Sequence, residues 1–222
     1  MTDSLSDTFQ KATAPFNPEC RLCPRLVSYR NAERRAYPDY FNAPVPPFGD
    51  PNARLLVVGL APGFHGANAT GRPFTGDHAG LILYRNLYEF GFASKPESVS
   101  SDDGLVLINC RITNSVKCVP PENKPLPGEI RLCSRYLIAE IQSLPPRAVI
   151  LSLGVVAHKA TLEALGEQHT KFKFAHGNEY ALANGVTMID SMHTSRYNTA
   201  TKRLTEEMFR SVVARARELI DK

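Results

Sequence analysis

The stretch RLLVVGLAPGFHGANATGRPFTGD, residues 54–77, joins a short apolar run to a glycine-rich loop. The run Leu55–Leu60 predicts a buried strand. The loop from Gly59 to Asp77 then holds five glycines, two prolines and only one carboxylate. Glycine lets backbone N–H groups approach a ligand closely and adopts positive φ without steric cost. The loop therefore predicts a binding cradle, and Asp77 is a candidate for chemistry.

Strand and helix patterns alternate along the rest of the chain. Further strands are predicted at residues 105–112, 148–153, 180–183 and 186–190, the last two flanking the hairpin signal Asn184-Gly185. Helices are predicted at residues 79–90, 128–144 and 155–165, with a long amphipathic helix near the C-terminus. Residues 19–52, rich in proline, arginine and tyrosine, predict an irregular covering segment. Such alternation favours an α/β fold with a mainly parallel sheet between helical layers.

The length and charge of the chain limit the number of domains and the kinds of partner that it can have. With 222 residues the chain can bury a full core, and we expect a flexible lead-in at residues 1–18 followed by one domain at 19–222. The formal charge of +4 permits nucleic-acid binding without demanding it. No apolar run approaches the ~20 residues of a membrane span. The N-terminus lacks a secretory pattern, so a cytoplasmic location is expected.

Four of the five cysteines form two pairs. Cys20 and Cys23 make a C-x2-C motif, and fourteen residues separate Cys118 from Cys133. Because Cys133 lies on the buried face of its predicted helix and Cys118 in the loop before it, the four can complete a tetrathiolate. Such a set suits zinc or an iron–sulfur cluster. Incidental spacing or redox use is the alternative for the C-x2-C motif, and Cys110 is predicted to be a core residue.

Two further polar groups follow predicted strands. The loop SMHTSRYN, residues 191–198, places His193 and Ser195 at the carboxyl edge of the sheet, where open α/β sheets bind ligands. Ser195 is a candidate for holding a phosphate, and His193 for a hydrogen bond near an oxygen. Asn114 ends the second strand, and its amide suits a base edge with adjacent donor and acceptor. Ordinary structural roles are the alternative for each.

Together these motifs resemble a known family. The loop at residues 59–77, the runs Ile112–Pro121 and His193–Asn198, and the four paired cysteines resemble the type-5 (type b) uracil-DNA glycosylases, an iron–sulfur branch of the uracil-DNA glycosylase superfamily. The match runs in order from about residue 20 to 210. It implies a three-layer α/β/α sandwich around a mainly parallel four-stranded sheet. It also implies a structural [4Fe-4S] cluster on Cys20, Cys23, Cys118 and Cys133, with zinc as the alternative.

The resemblance implies base excision repair of DNA. A monofunctional enzyme would flip uracil, and also hypoxanthine or other deaminated bases, out of single- or double-stranded DNA. It would then hydrolyse the N-glycosidic bond and leave an abasic site. Phe74 corresponds to the residue that stacks on the flipped base and Asn114 to the one that reads its edge. His193 corresponds to the histidine that stabilises charge on the base oxygen.

One departure from the wider superfamily concerns Leu60. Related iron–sulfur glycosylases carry an acid at that position, and leucine cannot activate water. We therefore assign that role to Asp77, as a general base, as electrostatic support for the transition state, or as both. The alternative is that Asp77 only caps the helix that follows it.

DNA contacts are predicted around the mouth of the site. The candidates are Gly63, His65, Thr194, Ser195 and Arg196 for phosphates, Arg196 or Tyr197 for the gap left by the base, and Arg72, Lys117 and Lys124 for a wider surface. The expected protein is a monomer associated with the nucleoid. A metal-stabilised DNA-binding module without glycosylase activity is the alternative. A hydrolase built on Ser195 and His193 is disfavoured because no G-x-S-x-G elbow is present.

Overall fold

Four parallel strands form the centre of the sheet, and two of them, made only of apolar residues, glycine and serine, are buried along their whole length. The computed structural model describes residues 14–182 and 185–222. Its strands are β1 (Phe48–Gly49), β2 (Leu55–Gly59), β3 (Cys110–Asn114), β4 (Val149–Leu153), β5 (Glu179–Ala181) and β6 (Thr187–Ser191). They lie in the order β1-β3-β2-β4-β6-β5. Strands β3, β2, β4 and β6 are parallel, whereas β1 and β5 pair antiparallel at the edges. The predicted four-stranded parallel sheet is therefore present, and two short edge strands extend it to six.

Helices cover both faces of this sheet. They are α1 (Pro24–Ala36), α2 (Ala67–Thr70), α3 (His78–Glu89), α4 (Pro127–Gln142), α5 (Val155–Ala164), α6 (Arg196–Ala200) and α7 (Glu206–Ile220). Alternate residues of a strand point to opposite faces. Leu55 accordingly packs in a core with α3 and α7, whereas Leu56 packs in a second core with α4 and α5. The expected α/β/α layering is confirmed.

Two predictions about local structure were wrong. The strand predicted at residues 105–112 begins only at Cys110, because Asn109 adopts a positive φ of 49° and interrupts the extended chain. Leu107 instead forms an isolated antiparallel bridge with Ala93. The segment 19–52, expected to be irregular, contains α1, which begins at Pro24, and proline is well suited to the first helical position.

Two predicted features, the hairpin turn and the N-terminal lead-in, extend beyond the described residues. Asn184 of the predicted hairpin turn lies outside the described residues, although the flanking strands β5 and β6 do pair antiparallel. Residues 1–13 also lie outside them. The backbone N–H of Ala14 donates to the carbonyl of Arg135, and Phe16 packs edge-on against Tyr136. The predicted boundary at residue 18 stays a prediction. Within the described ranges, every helix is too short or too polar to cross a membrane.

Candidate active site

A cleft of about 430 Å³ opens at the carboxyl ends of the parallel strands. The register pairs Gly59 at the end of β2 with Asn114 at the end of β3, which brings the first two motifs side by side. The loop after β6, which carries His193 and Ser195, brings the third motif to the same edge. The lining residues are Leu60, Ala61, Gly63, Ala67, Phe74, Asp77, His78, Ala79, Asn114, Asn123, His193, Ser195 and Arg196. The three residues predicted to be catalytic, Asp77, Asn114 and His193, therefore share one cleft with Phe74.

Asp77 lies between the glycine loop and the start of α3. It is the N-cap of α3, and its Oδ1 accepts a hydrogen bond from the N–H of Gly80 at 2.9 Å. Its other oxygen, Oδ2, lies so close to the loop that a Cβ added at Gly66 would approach it to 2.6 Å. Burial raises the pKa of the Asp77 carboxyl, and hydrogen bonds from the N–H groups of Gly80 and Ala79 oppose that rise. One oxygen thus caps the helix, which leaves the other for a second role.

Phe74 is held in a conformation that non-glycine residues rarely adopt. Its φ is 54°, its side chain is 6% exposed, and the hydroxyl of Tyr84 donates to the preceding carbonyl, that of Pro73, at 2.8 Å. The carbonyl of Phe74 presses against α3, where a Cβ at Gly80 would lie 1.8 Å from its oxygen. The ring stacks toward His193, with centroids 6.0 Å apart and planes inclined by 30°. The cleft thereby gains one fixed aromatic wall.

Asn114 presents a buried acceptor without a protein donor. Its Oδ1 is buried and has no hydrogen-bond partner among the described residues. Leaving a buried polar atom unpaired costs about 1–3 kcal/mol, so such an atom in a cleft indicates a ligand. A Cβ at Gly59 would lie 2.4 Å from this oxygen and 2.6 Å from the Phe74 ring. Glycine at position 59 therefore allows the amide and the ring to converge.

His193 is a neutral imidazole. Burial lowers its pKa to about 4, so it carries no charge near neutral pH. The Nδ2 group of Asn198 donates to the carbonyl of His193 at 2.8 Å, which fixes the loop. A Cβ at Gly154, where φ is +91°, would lie 3.3 Å from the Cβ of His193. A neutral imidazole can donate one hydrogen bond to an oxygen without a prior proton transfer.

The predicted DNA contacts divide into two groups. Gly63, Ser195 and Arg196 line the cleft, whereas His65 lies outside it, exposed and hydrogen-bonded through Nδ1 to the hydroxyl of Tyr40 at 2.8 Å. Ser195 also caps α6, with its Oγ 3.4 Å from the N–H of Asn198. Tyr197 and Lys124 are exposed, as expected.

Three polar residues predicted at the DNA surface are buried instead. Thr194 is fully buried, and Arg72 pairs with Asp103 at 2.7 Å. Lys117 is 1% exposed, and its Nζ donates to the hydroxyl of Thr113 and to the carbonyl of Asn114, the latter at 2.8 Å. The surface roles predicted for Arg72, Lys117 and Thr194 were wrong, because each side chain finds internal partners or no route to solvent.

Two polar residues of the cleft lining were not predicted as site residues. His78 follows Asp77 directly, and its Nε2 lies 3.0 Å from the hydroxyl of Thr199 in α6. This contact joins α3 to α6, which follows the His193 loop. The sequence signal for His78 was its position next to Asp77, the only acid of the glycine-rich loop. Asn123 lies in a proline-rich turn with a φ of 57°. That turn follows no periodic pattern, so the sequence offered no comparable signal for it.

The four paired cysteines line a second cavity, between α1 and the start of α4. All are free thiols. Burial raises the pKa of Cys23 to about 11 and that of Cys118 to about 12, and it also raises that of Cys133. Without a cation these thiols would therefore stay protonated. Cys110 is fully buried in the sheet core, as predicted.

Two N–H donors point at sulfur atoms of this cavity. The guanidinium of Arg30 donates to Sγ of Cys118 at 3.1 Å, and the backbone N–H of Lys117 donates to Sγ of Cys133 at 3.3 Å. Hydrogen bonds to sulfur are typical of sites where the sulfur carries negative charge. Within residues 14–182 and 185–222, no three His, Cys, Asp or Glu side chains are grouped so as to hold one metal ion. The thiols therefore share a cavity without converging on a single point.

Comparisons with known proteins agree with this geometry. The family model of the uracil DNA glycosylase superfamily matches residues 46–217. A type-5 uracil-DNA glycosylase of Thermus thermophilus is 48% identical over 205 residues, covering 90% of this chain and 93% of that protein. One from Pyrobaculum aerophilum is 46% identical, covering 89% and 87%. A type-4 uracil-DNA glycosylase of Pyrobaculum aerophilum is 34% identical, covering 68% and 69%.

Proposed function

Because this chain belongs to the type-5 uracil-DNA glycosylases of the uracil-DNA glycosylase superfamily, we propose that it removes uracil from DNA by hydrolysing the N-glycosidic bond. The observation that carries the proposal is the unpaired, buried Oδ1 of Asn114 beside the ring of Phe74. Uracil has a ring N–H flanked by carbonyls, and an amide complements that edge. A flat heterocycle stacked on the ring and bonded to the amide fits this arrangement.

The first step brings the base into the cleft. An enzyme cannot reach the glycosidic bond inside the stack, so the nucleotide is extruded from it. Phe74 then stacks on the base, and Oδ1 of Asn114 accepts from its ring N–H while the amide Nδ2 donates to a carbonyl. Both partners are held before substrate arrives, Phe74 by its contact with Gly80 and Asn114 by its place at the end of β3. Preorganised partners spare the substrate the cost of ordering them.

The second step breaks the C1′–N bond. The bonding electrons move to the base, and negative charge develops on its carbonyl oxygen, where neutral His193 donates a hydrogen bond. The sugar becomes oxocarbenium-like, and a water adds its oxygen to C1′. Asp77 takes the proton of that water through Oδ2, the carboxylate oxygen that does not cap α3. The base anion then takes a proton from solvent and Asp77 returns its proton to solvent, so the products are the free base and an abasic sugar.

We extend the proposal to hypoxanthine and other deaminated bases, because the cleft has room for a purine. The mouth residues Gly63, Ser195 and Arg196 are proposed to hold phosphates, which position DNA without reading sequence. The protein would act as a monomer on single- or double-stranded DNA, in the cytoplasm with the nucleoid.

The cleavage assay tests this proposal directly. Purified protein is expected to release free uracil from an oligonucleotide with one uracil and to leave an alkali-labile abasic site. Identical strands carrying thymine serve as the control, and strands carrying hypoxanthine test the wider range. Borohydride trapping is expected to give no covalent adduct, because no lysine of residues 14–182 and 185–222 lines the cleft. Binding of uracil DNA without release of base would favour a binding module instead.

We also propose that Cys20, Cys23, Cys118 and Cys133 hold a [4Fe-4S] cluster with a structural role. Burial raises the pKa of the Cys23, Cys118 and Cys133 thiols, so a cation is needed to stabilise them as thiolates. Two N–H donors already point at the sulfurs of Cys118 and Cys133. The choice of a cluster over a single zinc ion rests on the resemblance of the four-cysteine pattern to the iron–sulfur branch of the family. When bound, the cluster would cross-link α1 to α4 and supply no redox step.

The proposed cluster leads to an expected result when the metal is removed. Anaerobically purified protein is expected to be brown and to contain iron and acid-labile sulfide. Oxidative removal of the cluster should lower the melting temperature, because α1 then loses its link to α4. Cys118→Ala should have the same effect, whereas Cys110→Ala, in the sheet core, should leave the colour unchanged. Colourless, zinc-loaded protein of full stability would contradict the cluster.

A further inference from the structure

Four aromatic rings cluster on the surface beside the cleft: Tyr37, Tyr40, Phe64 and His65, here called the aromatic platform. The rings of Tyr37 and Tyr40 stack with centroids 5.0 Å apart and planes inclined by 30°. Phe64 meets Tyr37 edge-on at 5.1 Å and His65 edge-on at 4.8 Å. Tyr37 is 39% exposed, and His65 is also exposed. An exposed group of aromatic rings on a soluble surface indicates a binding function.

The platform is rigidly joined to the cradle that holds Asp77. Asn42 is fully buried, and its Nδ2 donates to the carbonyl of Tyr37 at 2.7 Å. Its Oδ1 accepts from Nδ2 of Asn68 in α2 at 2.9 Å, and the N–H of Asn68 donates to the carbonyl of Gly63 at 3.0 Å. This chain of bonds runs from the platform to a residue that lines the cleft. The rings are therefore held in place before any ligand binds.

Position then limits what the platform can bind. Gly63 lines the cleft, and Phe64 and His65 follow it directly. Consecutive Cα atoms are about 3.8 Å apart, which is close to the spacing of stacked bases. A DNA strand that has one nucleotide in the cleft and leaves it past Gly63 therefore reaches the platform within a nucleotide or two.

The local charge is nearly balanced. Arg34 and Arg35 lie in the last turn of α1, but Glu33 and Asp39 lie in the same segment. Phosphate attraction is therefore weak here, and the contribution of the platform must come from its ring faces. Aromatic faces stack on any unpaired base without reading its sequence.

We propose that the aromatic platform binds an unpaired base that flanks the flipped nucleotide on the same DNA strand. This inference rests on the proposed function, since it takes DNA as the substrate. A flanking base is free to stack in single-stranded DNA, whereas in a duplex it stays paired and stacked on its neighbours. The platform thus favours single-stranded over double-stranded substrate.

A binding experiment without catalysis tests the platform. Fluorescence anisotropy gives the dissociation constant for short single strands that carry an abasic analogue at the target position. In parallel strands the neighbouring base, on the 5′ or the 3′ side, is also removed. For the native protein, removal on one side should weaken binding about five- to tenfold. For Tyr37→Leu, which keeps an apolar side chain, the same removal should change binding less than twofold.

Matched variants separate stacking from other effects. Tyr88→Leu removes an exposed tyrosine of α3 that does not line the cleft, and it should behave like the native protein. Tyr37→Leu should leave the salt dependence of binding unchanged. Arg35→Gln should reduce the slope of log K against log salt concentration by at most about 0.7. In cleavage assays Tyr37→Leu should lower kcat/KM on single strands and spare duplex substrate.

Either of two results would overturn the platform proposal. In the first, removal of the flanking base on either side leaves the affinity of the native protein unchanged. In the second, this removal weakens binding by Tyr37→Leu as much as it weakens binding by the native protein. If the protein binds flanking bases as expected yet releases no uracil, the proposed function fails while the platform stands. If uracil is released normally and Tyr37→Leu equals native protein in every assay, the platform fails alone.

Discussion

Asp77→Asn is expected to lower the single-turnover rate of uracil release about 10²- to 10⁴-fold, the range typical of a lost general base. The physical reason is that the amide cannot take a proton from the attacking water or offset positive charge on the sugar. Stability should hardly change, because asparagine also caps helices well and its Oδ1 can still accept from the N–H of Gly80. Rapid-quench cleavage and thermal melting measure the two effects separately.

Asp77→Ala provides the matched comparison. It removes both the base and the cap, so it should lose activity to the same extent and about 1 kcal/mol of stability as well. If Asp77→Asn kept a near-native rate while Asp77→Ala lost stability, the carboxylate would serve only as a cap.

The same carboxylate determines the expected pH dependence. A general base works only when deprotonated, and burial raises the pKa of Asp77. The rate should therefore fall on the acid side through a pKa above the usual value of about 3.9, and stay level above it. His193, with a pKa of about 4, should add no inflection near neutrality. The acid limb should vanish from the residual activity of Asp77→Asn, and an inflection near 6.5 that disappears in His193→Gln would contradict the neutral imidazole.

Gly59→Ala is expected to produce the second large effect. The added methyl would lie 2.4 Å from Oδ1 of Asn114 and 2.6 Å from the ring of Phe74, so amide and ring must move apart. Displacements of about 1 Å in a reacting site can cost 10²-fold, and we expect at least that loss in kcat/KM for uracil release. Overpacking should also cost about 1–3 kcal/mol of stability.

Gly128→Ala is the control for that substitution. Gly128 lies in the first turn of α4 with nothing within 4 Å of an added Cβ, so alanine there should leave activity unchanged and stability equal or slightly higher. Assays are run well below both melting temperatures so that unfolding does not lower the rate. A native rate for Gly59→Ala would show that the amide and the ring do not act on the base together.

The parallel sheet could be predicted from sequence because its strands are short apolar runs with helices between them. The edge strand β1 has only two residues and leaves no periodic pattern. Helix α1 begins at a proline in a charged segment of low hydrophobicity, so composition pointed to irregular structure. Asn109 shortened β3 through a positive φ, which asparagine adopts more often than most residues.

The grouping of Asp77, Asn114 and His193 could be predicted because each follows or ends a strand of one parallel sheet. The precise placement of Phe74 could not, since it depends on a left-handed backbone held against Gly80 by packing. Burial of Lys117 was also beyond sequence reasoning. Lysine is rarely buried, so the default expectation of an exposed cation was reasonable and wrong.

The buried Lys117 also connects the thiol cavity to the cleft. The backbone N–H of Lys117 holds Cys133 in the thiol cavity, and its side chain holds the carbonyl of Asn114 in the cleft. A shift of α4 would therefore reach Asn114, the proposed base-binding residue, through Lys117. We therefore expect damage to the thiol cavity to weaken the proposed base recognition before the protein unfolds.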